Sequence, residues 1–365
     1  MTSKLRMIVS GGGTGGHFFP ALSICQLLKK EGVIVKFIGS KYGIEKNLIN
    51  NHFNPHFLNI HGIQRNFSFK SILKNILFPF KFIIAYFESI KIINDFKPHV
   101  VIGTGGYSSG LPLLSALHKG IKTVIQEQNS SPGITTKYLA RKVDKVCIAF
   151  PGTKLNLMKN NFIITGNPIR SDITLTDKLK AKSYFNLDNN KPVLAVLGGS
   201  QGARSINSHL KNNINKYTSA GLQILWQCGR KDFAKLKSVL TTTDVKLFPF
   251  IKEMNYFYTA ADIIISRSGA LAISEMALLG KAMVLIPLPS SSAGHQLDNA
   301  KYFSNKDAAI LIEEADLSKG ILEENILNLI NKPLLIKKMQ EEAIKLSFSN
   351  ANNHIKSIIM ELAIK

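Results

Sequence analysis

The stretch RMIVSGGGTGGHFFPALSICQLL, residues 6–28, decides the fold. It opens as an apolar strand, turns through seven glycine-rich residues and continues as a helix. PVLAVLGGSQGARSINSHL, residues 192–210, repeats the pattern in the other half of the chain. In both, a parallel-sheet strand feeds a helix N-terminus, where unpaired backbone N–H groups and the helix dipole hold an anion, commonly a phosphate. Two such units, one per half, predict an α/β fold of two Rossmann-like domains with parallel sheets facing across a cleft. Enzymes that work on sugar nucleotides have this arrangement.

Outward from these two stretches the alternation continues. In the first half, strands are expected at residues 7–10, 33–38, 99–102, 123–126 and 145–148, with a helix from about Pro20, a favoured first-turn residue. A second glycine loop, GTGGYSSG (103–110), follows the strand at 99–102. The turn-rich connector ITGNPIRSDI (164–173) marks the boundary. We therefore expect domains over residues 1–165 and 166–350, with the last helix, 351–365, crossing back onto the first. In the second half, strands are expected at 192–197, 223–227, 262–266 and 282–286. Strands alternating with amphipathic helices imply parallel sheets covered on both faces.

A chain of 365 residues, 45% of them hydrophobic, is comfortable as two domains with full cores. Cys25, Cys147 and Cys228 form no CxxC pair, which argues against a zinc ribbon or disulfide framework and for a reducing cytosol. The first strand begins almost at once, so no secretory signal is expected. The formal net charge of +22 fits nucleic acid, an anionic membrane or an anionic substrate. Only seven of the 46 basic residues are Arg, the preferred base reader, and no nucleic-acid motif occurs. Nucleic acid is set aside, and part of the charge reads as the lysine drift of an AT-rich genome.

One segment breaks the alternation: FSFKSILKNILFPFKFIIAYFESIKII, residues 67–93. Phe69, Ile72, Leu73, Ile76, Leu77 and Phe80 recur at helical spacing, and Pro79 kinks or divides the helix. Lys70, Lys74, Lys81 and Lys91 flank them. The 13 residues 75–87 carry one charge but are too few to span a bilayer. Two readings stay open: a buried helix pair, which periodicity alone favours, or an in-plane membrane contact with a basic rim.

Gly11, Gly13 and Gly16 satisfy G-x-G-x-x-G, a weak signal alone. A dinucleotide site would want an acid ending the second strand, and that strand runs Phe37-Ile38-Gly39-Ser40-Lys41. NAD is disfavoured; NADP, with Lys41 on its extra phosphate, remains a minor alternative. No G-K-[ST] follows any loop, which excludes an ATP-hydrolysing P-loop. A better nucleotide candidate is SRSGALAISE (266–275), a strand-to-helix turn with Glu275 two turns in, where a carboxylate can accept both ribose hydroxyls. Glu275 could equally be a solvated helix residue. The 198–203 loop can hold a diphosphate, with Ser200 adding a hydroxyl.

GGGTGGHFFPA, GTGGYSSG, EQNSSPG, TGNPIR, GGSQGA, SRSGALAISE and HQLDNA occur in this order. With them the whole chain resembles the MurG family, the UDP-GlcNAc:lipid I N-acetylglucosaminyltransferases of glycosyltransferase family 28. The resemblance implies a GT-B fold and inverting transfer of GlcNAc from UDP-GlcNAc to the MurNAc 4-hydroxyl of undecaprenyl-linked lipid I. The product, lipid II, would form at the cytoplasmic face of the inner membrane, with the enzyme peripheral to an anionic surface and cell-wall synthesis or division proteins as partners. A lipid-tethered acceptor shifts the reading of residues 67–93 toward the interfacial patch.

By the same resemblance Thr14, Gly15, Gly16, Asn129, Arg170, Ser200, Ile251, Ala270, Leu271, Ala272, Ile273, Ser274, Glu275 and Gln296 would contact UDP-GlcNAc. Ile251 would meet the uracil through its backbone, Glu275 the ribose, and Gln296 the sugar hydroxyls. Gly13, Gly105, Gly106 and Tyr107 would face the acceptor diphosphate. QEQN (126–129) departs from the family's usual HEQN, so Gln126 replaces a histidine and no catalytic role is assigned there.

The reaction needs a base, and His17, closing the first glycine loop, has a suitable ordinary pKa. Its alternative role is to cap the helix or position a phosphate. The departing UDP can be met by the 198–203 amides, the helix N-terminus at 267–270 and Arg170. No Asp-x-Asp occurs, so no cofactor or carboxylate-held metal is expected. The competing readings are a diacylglycerol glycosyltransferase, a UDP-GlcNAc 2-epimerase, an NADP-dependent oxidoreductase and a non-catalytic membrane scaffold.

Overall fold

The computed structural model describes residues 4–63, 68–153, 161–199, 202–240, 242–291 and 294–364. The chain divides into two compact units, Met1–Arg170 with Phe348–Lys365, and Ser171–Ser347.

The first unit is built on strands β1 (Arg6–Ser10), β2 (Ile34–Ser40), β3 (His56–Leu58), β4 (Val100–Gly103), β5 (Lys122–Glu127), β6 (Lys145–Ile148) and β7 (Phe162–Ile164). They pair in parallel in the order β3-β2-β1-β4-β5-β6-β7. Residues alternate between two covered faces, as an all-parallel sheet requires. Met7 and Val9 pack into one core with Phe18, Leu28 and Val100. Ile8 joins Ile38, Val101, Leu111 and Val146 in the other. The last helix, Ala351–Ile364, buries Ile355, Ile358, Ile359 and Leu362 in the core of Met7. Asn352 Nδ2 donates to the Ile169 carbonyl at 2.7 Å, tying the helix to the end of the unit's main segment.

The second unit carries β8 (Val193–Leu197), β9 (Gln223–Gln227), β10 (Val245–Phe248), β11 (Ile263–Ser266), β12 (Ala282–Leu285) and β13 (Ile310–Leu311). They are parallel in the order β10-β9-β8-β11-β12-β13. Leu194, Val196, Trp226, Ile263 and Val284 lie in its core. In each sheet the order reverses beside the first strand, between β1 and β4 and between β8 and β11. Ligands of open α/β sheets bind at such switch points, beyond the carboxyl ends of the strands.

Three expectations need correction. The first helix starts at Gly15, not near Pro20, so the second half of the glycine loop is helical and Pro20 sits inside the helix. The Thr14 carbonyl accepts from the amides of His17 and Phe18 at 3.2 and 3.0 Å, starting the helix before Pro20 removes a donor. The strands β3, β7 and β13 are not among those expected, having too few residues to display a period-two pattern, nor is the four-residue β10, which is only half-buried and carries Lys246 within its apolar run. Finally, of the two readings left open for residues 67–93, the one that periodicity alone favours, with Phe69, Ile72, Leu73, Ile76, Leu77 and Phe80 as a buried face, does not hold. That segment forms two helices, Phe69–Ile76 and Phe78–Phe96, divided at Leu77 with Pro79 in the second helix's first turn. Phe69, Ile72, Leu73, Ile76, Leu77 and Phe80 are all exposed, as are Ile83, Ile84 and Phe87. The buried side is Ala85, Ser89, Ile92 and Ile93. Among the described residues no helix is long and apolar enough to cross a membrane. Phe67 and Ser200 lie outside the described residues, as do the side chains of Lys70 and Lys74.

Candidate active site

In the first unit three loops converge on His17 at the β1/β4 switch point. His17 stands in the first turn of the helix Gly15–Lys30. Its Nδ1 lies 3.1 Å from the Thr104 carbonyl and 3.0 Å from Gln128 Oε1. Both partners are acceptors, so Nδ1 donates to them, and in the neutral ring this leaves the lone pair on Nε2. The ring packs on the second loop where a side chain at Gly105 would stand: a Cβ there would come 2.5 Å from Nδ1, and the φ of +106° itself suits glycine. Thr104 Oγ1 donates to the His17 carbonyl at 2.7 Å, joining the loops.

The helix N-terminus beside His17 is open. Gly13, Thr14 and Gly16 are exposed, and no acidic side chain stands in the first turn. The Gly13 amide, expected to face an acceptor diphosphate, is already engaged. The buried carboxylate of Glu45 accepts from it at 3.0 and 2.9 Å through its two oxygens, and from the Ser40 amide at 2.8 Å. No acid ends β2, yet one five residues further on folds back to the same place. The motif at 11–16 gave no sign of it, because its loop is closed by a residue beyond the strand.

Tyr107 begins the helix Tyr107–His118, and its ring sits edge-to-face on Phe78 with centroids 5.5 Å apart. That places it in the packing under the exposed helix pair. Asn129 is held by Glu127 Oε1, which accepts from its backbone and side-chain nitrogens at 3.1 Å each. The Arg170 guanidinium lies over the Phe19 ring, 5.7 Å from its centroid.

In the second unit two helix N-termini flank the β8/β11 switch point. The helix Ala270–Leu278 starts at Gly269 directly after β11, and the helix Arg204–Ser219 follows the 198–203 loop. Glu275 is half-buried, and its Oε2 accepts the Tyr258 hydroxyl at 2.7 Å, which rules out a merely solvated residue. Tyr258, buried on the helix Met254–Ala260, was not singled out by any motif. The side chains of Ala270 and Ile273 are buried, so these two offer a ligand only backbone. Leu271, Ala272 and Ser274 are half-buried on the same helix.

Gln227 Oε1 accepts the Ile251 amide at 2.8 Å, while its Nε2 donates to the Gly199 carbonyl at 3.1 Å. The backbone expected at the uracil is thus tied to Gly199, in the loop expected at the diphosphate, and the Ile251 carbonyl is its remaining polar group. Gln296 Oε1 accepts from the Leu288 amide at 2.9 Å, which leaves the nitrogen end of its carboxamide for sugar hydroxyls. The Arg267 side chain does not belong to the anion site. It donates to the carbonyls of Ile286 and Pro287 and to Ser205 Oγ, and pairs with Glu314 at 2.5 Å. It braces the turn that precedes the helix Ala270–Leu278. Among the described residues no group of three or more His, Cys, Asp or Glu could hold a metal ion.

Comparison with known proteins places the fold in a class. A crystal structure of Acinetobacter baumannii MurG superposes with a TM-score of 0.77 at 27% identity, covering 98% of this chain and 99% of that one. The architecture is the GT-B fold of glycosyltransferases. Residues 7–148 match the glycosyltransferase family 28 N-terminal domain and residues 193–355 the family's C-terminal domain. A Flavobacterium psychrophilum UDP-N-acetylglucosamine–N-acetylmuramyl-(pentapeptide) pyrophosphoryl-undecaprenol N-acetylglucosamine transferase is 40% identical, with 98% of both chains covered. The enzyme of the same name from Christiangramia forsetii is 39% identical, with 97% of both covered. The chain belongs to glycosyltransferase family 28, among these N-acetylglucosamine transferases.

Proposed function

We propose that this enzyme transfers GlcNAc from UDP-GlcNAc to the MurNAc 4-hydroxyl of undecaprenyl-linked lipid I, with inversion, giving lipid II. The observation that carries the reading is the His17 geometry on a chain that matches named transferases of this kind over nearly its full length. His17 Nε2 takes the hydroxyl proton as the oxygen attacks C1 of GlcNAc. The C1–O bond to the diphosphate breaks, and UDP leaves with the pair. The first unit supplies the base and binds the acceptor. The second unit binds the donor, with Glu275 on the ribose, Ile251 at the uracil and Gln296 on the sugar. The amides that open the helices Ala270–Leu278 and Arg204–Ser219 meet the charge on UDP, so no metal is required.

The exposed helix pair of the first unit is proposed as a peripheral contact with the anionic cytoplasmic face of the inner membrane. Phe69 (83% exposed), Phe80 (65%), Ile84 (64%) and Phe87 (62%) supply an apolar wedge that a solvated helix would not carry. This feature favours a lipid-linked acceptor over the epimerase and oxidoreductase readings. The test is transfer of radiolabelled GlcNAc from UDP-GlcNAc to a lipid I analogue. Labelled disaccharide product is expected; donor turnover to another acceptor class with none to lipid I would replace the reading.

A further inference from the structure

We propose that Gln128 is a positioning residue that holds His17 in the tautomer with its lone pair on Nε2, and that Gln126 and Asn167 hold Gln128 in the orientation this needs. The inference deepens the base role given to His17 and rests on it. A histidine side chain in water prefers its proton on Nε2, which is the wrong nitrogen for a base acting from that atom. The protein must therefore impose the other form, and a ring nitrogen's partner is what imposes it.

Gln128 is 2% exposed, so its carboxamide must find all its partners within the protein. One end faces three acceptors: the Thr104 carbonyl at 2.8 Å, the Gln126 carbonyl at 2.8 Å and Gln126 Oε1 at 2.6 Å. An oxygen placed there would meet three oxygens, so this end is the nitrogen. The carboxamide oxygen is thereby turned to His17 Nδ1. Gln126 is oriented in turn, because its Nε2 donates to Asn167 Oδ1 at 3.1 Å and leaves Oε1 for Gln128. Asn167 Nδ2 donates to the Gln128 carbonyl at 3.3 Å, closing the ring of bonds. Gln126 and Asn167 are also buried, so no water competes for these positions. The Thr104 carbonyl accepts from both His17 and Gln128, so the single Nδ1 proton of His17 is shared between that carbonyl and Gln128 Oε1.

The experiment is ¹⁵N NMR of histidine-labelled protein, with the His17 signals assigned by comparison with His17→Gln. The unmodified protein should show the proton on Nδ1; a proton on Nε2 overturns the proposal without any variant. Gln128→Met keeps the bulk and removes the acceptor. It should move His17 toward the Nε2-protonated form and lower kcat about 10–100-fold, with KM for UDP-GlcNAc within about twofold. Gln126→Leu leaves Gln128 in place but frees it to turn, and should shift the same signals by less, which covers the case that Gln128→Met does not fold. Unchanged His17 signals in a folded Gln128→Met protein overturn the proposal. A tautomer shift with unchanged kcat supports the positioning and removes the base role from His17, so the two readings fail separately.

Discussion

The carboxylate of Glu45 stands 2.9 and 3.0 Å from the Gly13 amide, inside the glycine loop that opens the chain. This loop carries its own anion. The carboxylate fills the space where side chains at Gly12 and Gly43 would stand, since a Cβ on either would overlap its oxygens. Here glycine serves close approach.

Glu45→Ala leaves the buried Ser40 amide unpaired and opens a hole under the loop. An expected loss is about 1–3 kcal/mol of stability. Gly12→Ala should cost a similar amount through overpacking. Both are read as a fall in melting temperature; a melt matching the parent's would show that the carboxylate is dispensable to the loop.

His17→Ala should lower kcat about 10²–10⁴-fold, the usual contribution of a general base. Affinity for UDP-GlcNAc should barely move, because the donor is assigned to the second unit. Single-turnover kinetics beside calorimetric titration separate the two quantities, and a kcat loss below tenfold would leave His17 a merely orienting role.

Glu275→Ala should weaken UDP binding by about 1–3 kcal/mol, the loss typical of charge-assisted hydrogen bonds. Tyr258→Phe removes only the hydroxyl that orients Glu275. It should weaken binding by less, and adding it to Glu275→Ala should cost little more, since neighbours in one network are not additive. Full additivity in titration calorimetry would uncouple the pair.

Replacing Leu77 and Phe80 with Ser should reduce binding to anionic vesicles while the melting temperature holds, because both side chains are exposed. Turnover of a short-chain soluble acceptor should survive. Lys81→Glu should weaken vesicle binding as well, each basic residue near such a surface being worth about 1 kcal/mol, and the parent's binding should fall with salt. A large drop in melting temperature with vesicle binding intact would reverse the assignment of that surface.

Activity should persist in excess EDTA if, as proposed, helix termini and loop amides meet the charge of the leaving diphosphate. Complete loss, restored by Mg²⁺ or Mn²⁺, would show that those amides do not suffice.

The two βα units, their glycine turns and the parallel character of both sheets were legible in the chain. They rest on local chemistry: apolar strands of four or more residues, and glycines where the backbone turns sharply. The placing of His17 in the first loop and of Glu275 two turns into its helix followed from the same spacing. Tertiary structure decided what spacing cannot carry. Helical periodicity marks an apolar face but not what covers it, so the pattern from Phe69 to Phe80 fits a core helix and a membrane contact alike, and only the exposure of these residues separates the two. Glu45, Gln128 and Tyr258 act through partners 32, 111 and 17 residues away. A hydrogen bond between such residues exists only once the sheets have brought their loops together, and no local pattern encodes it.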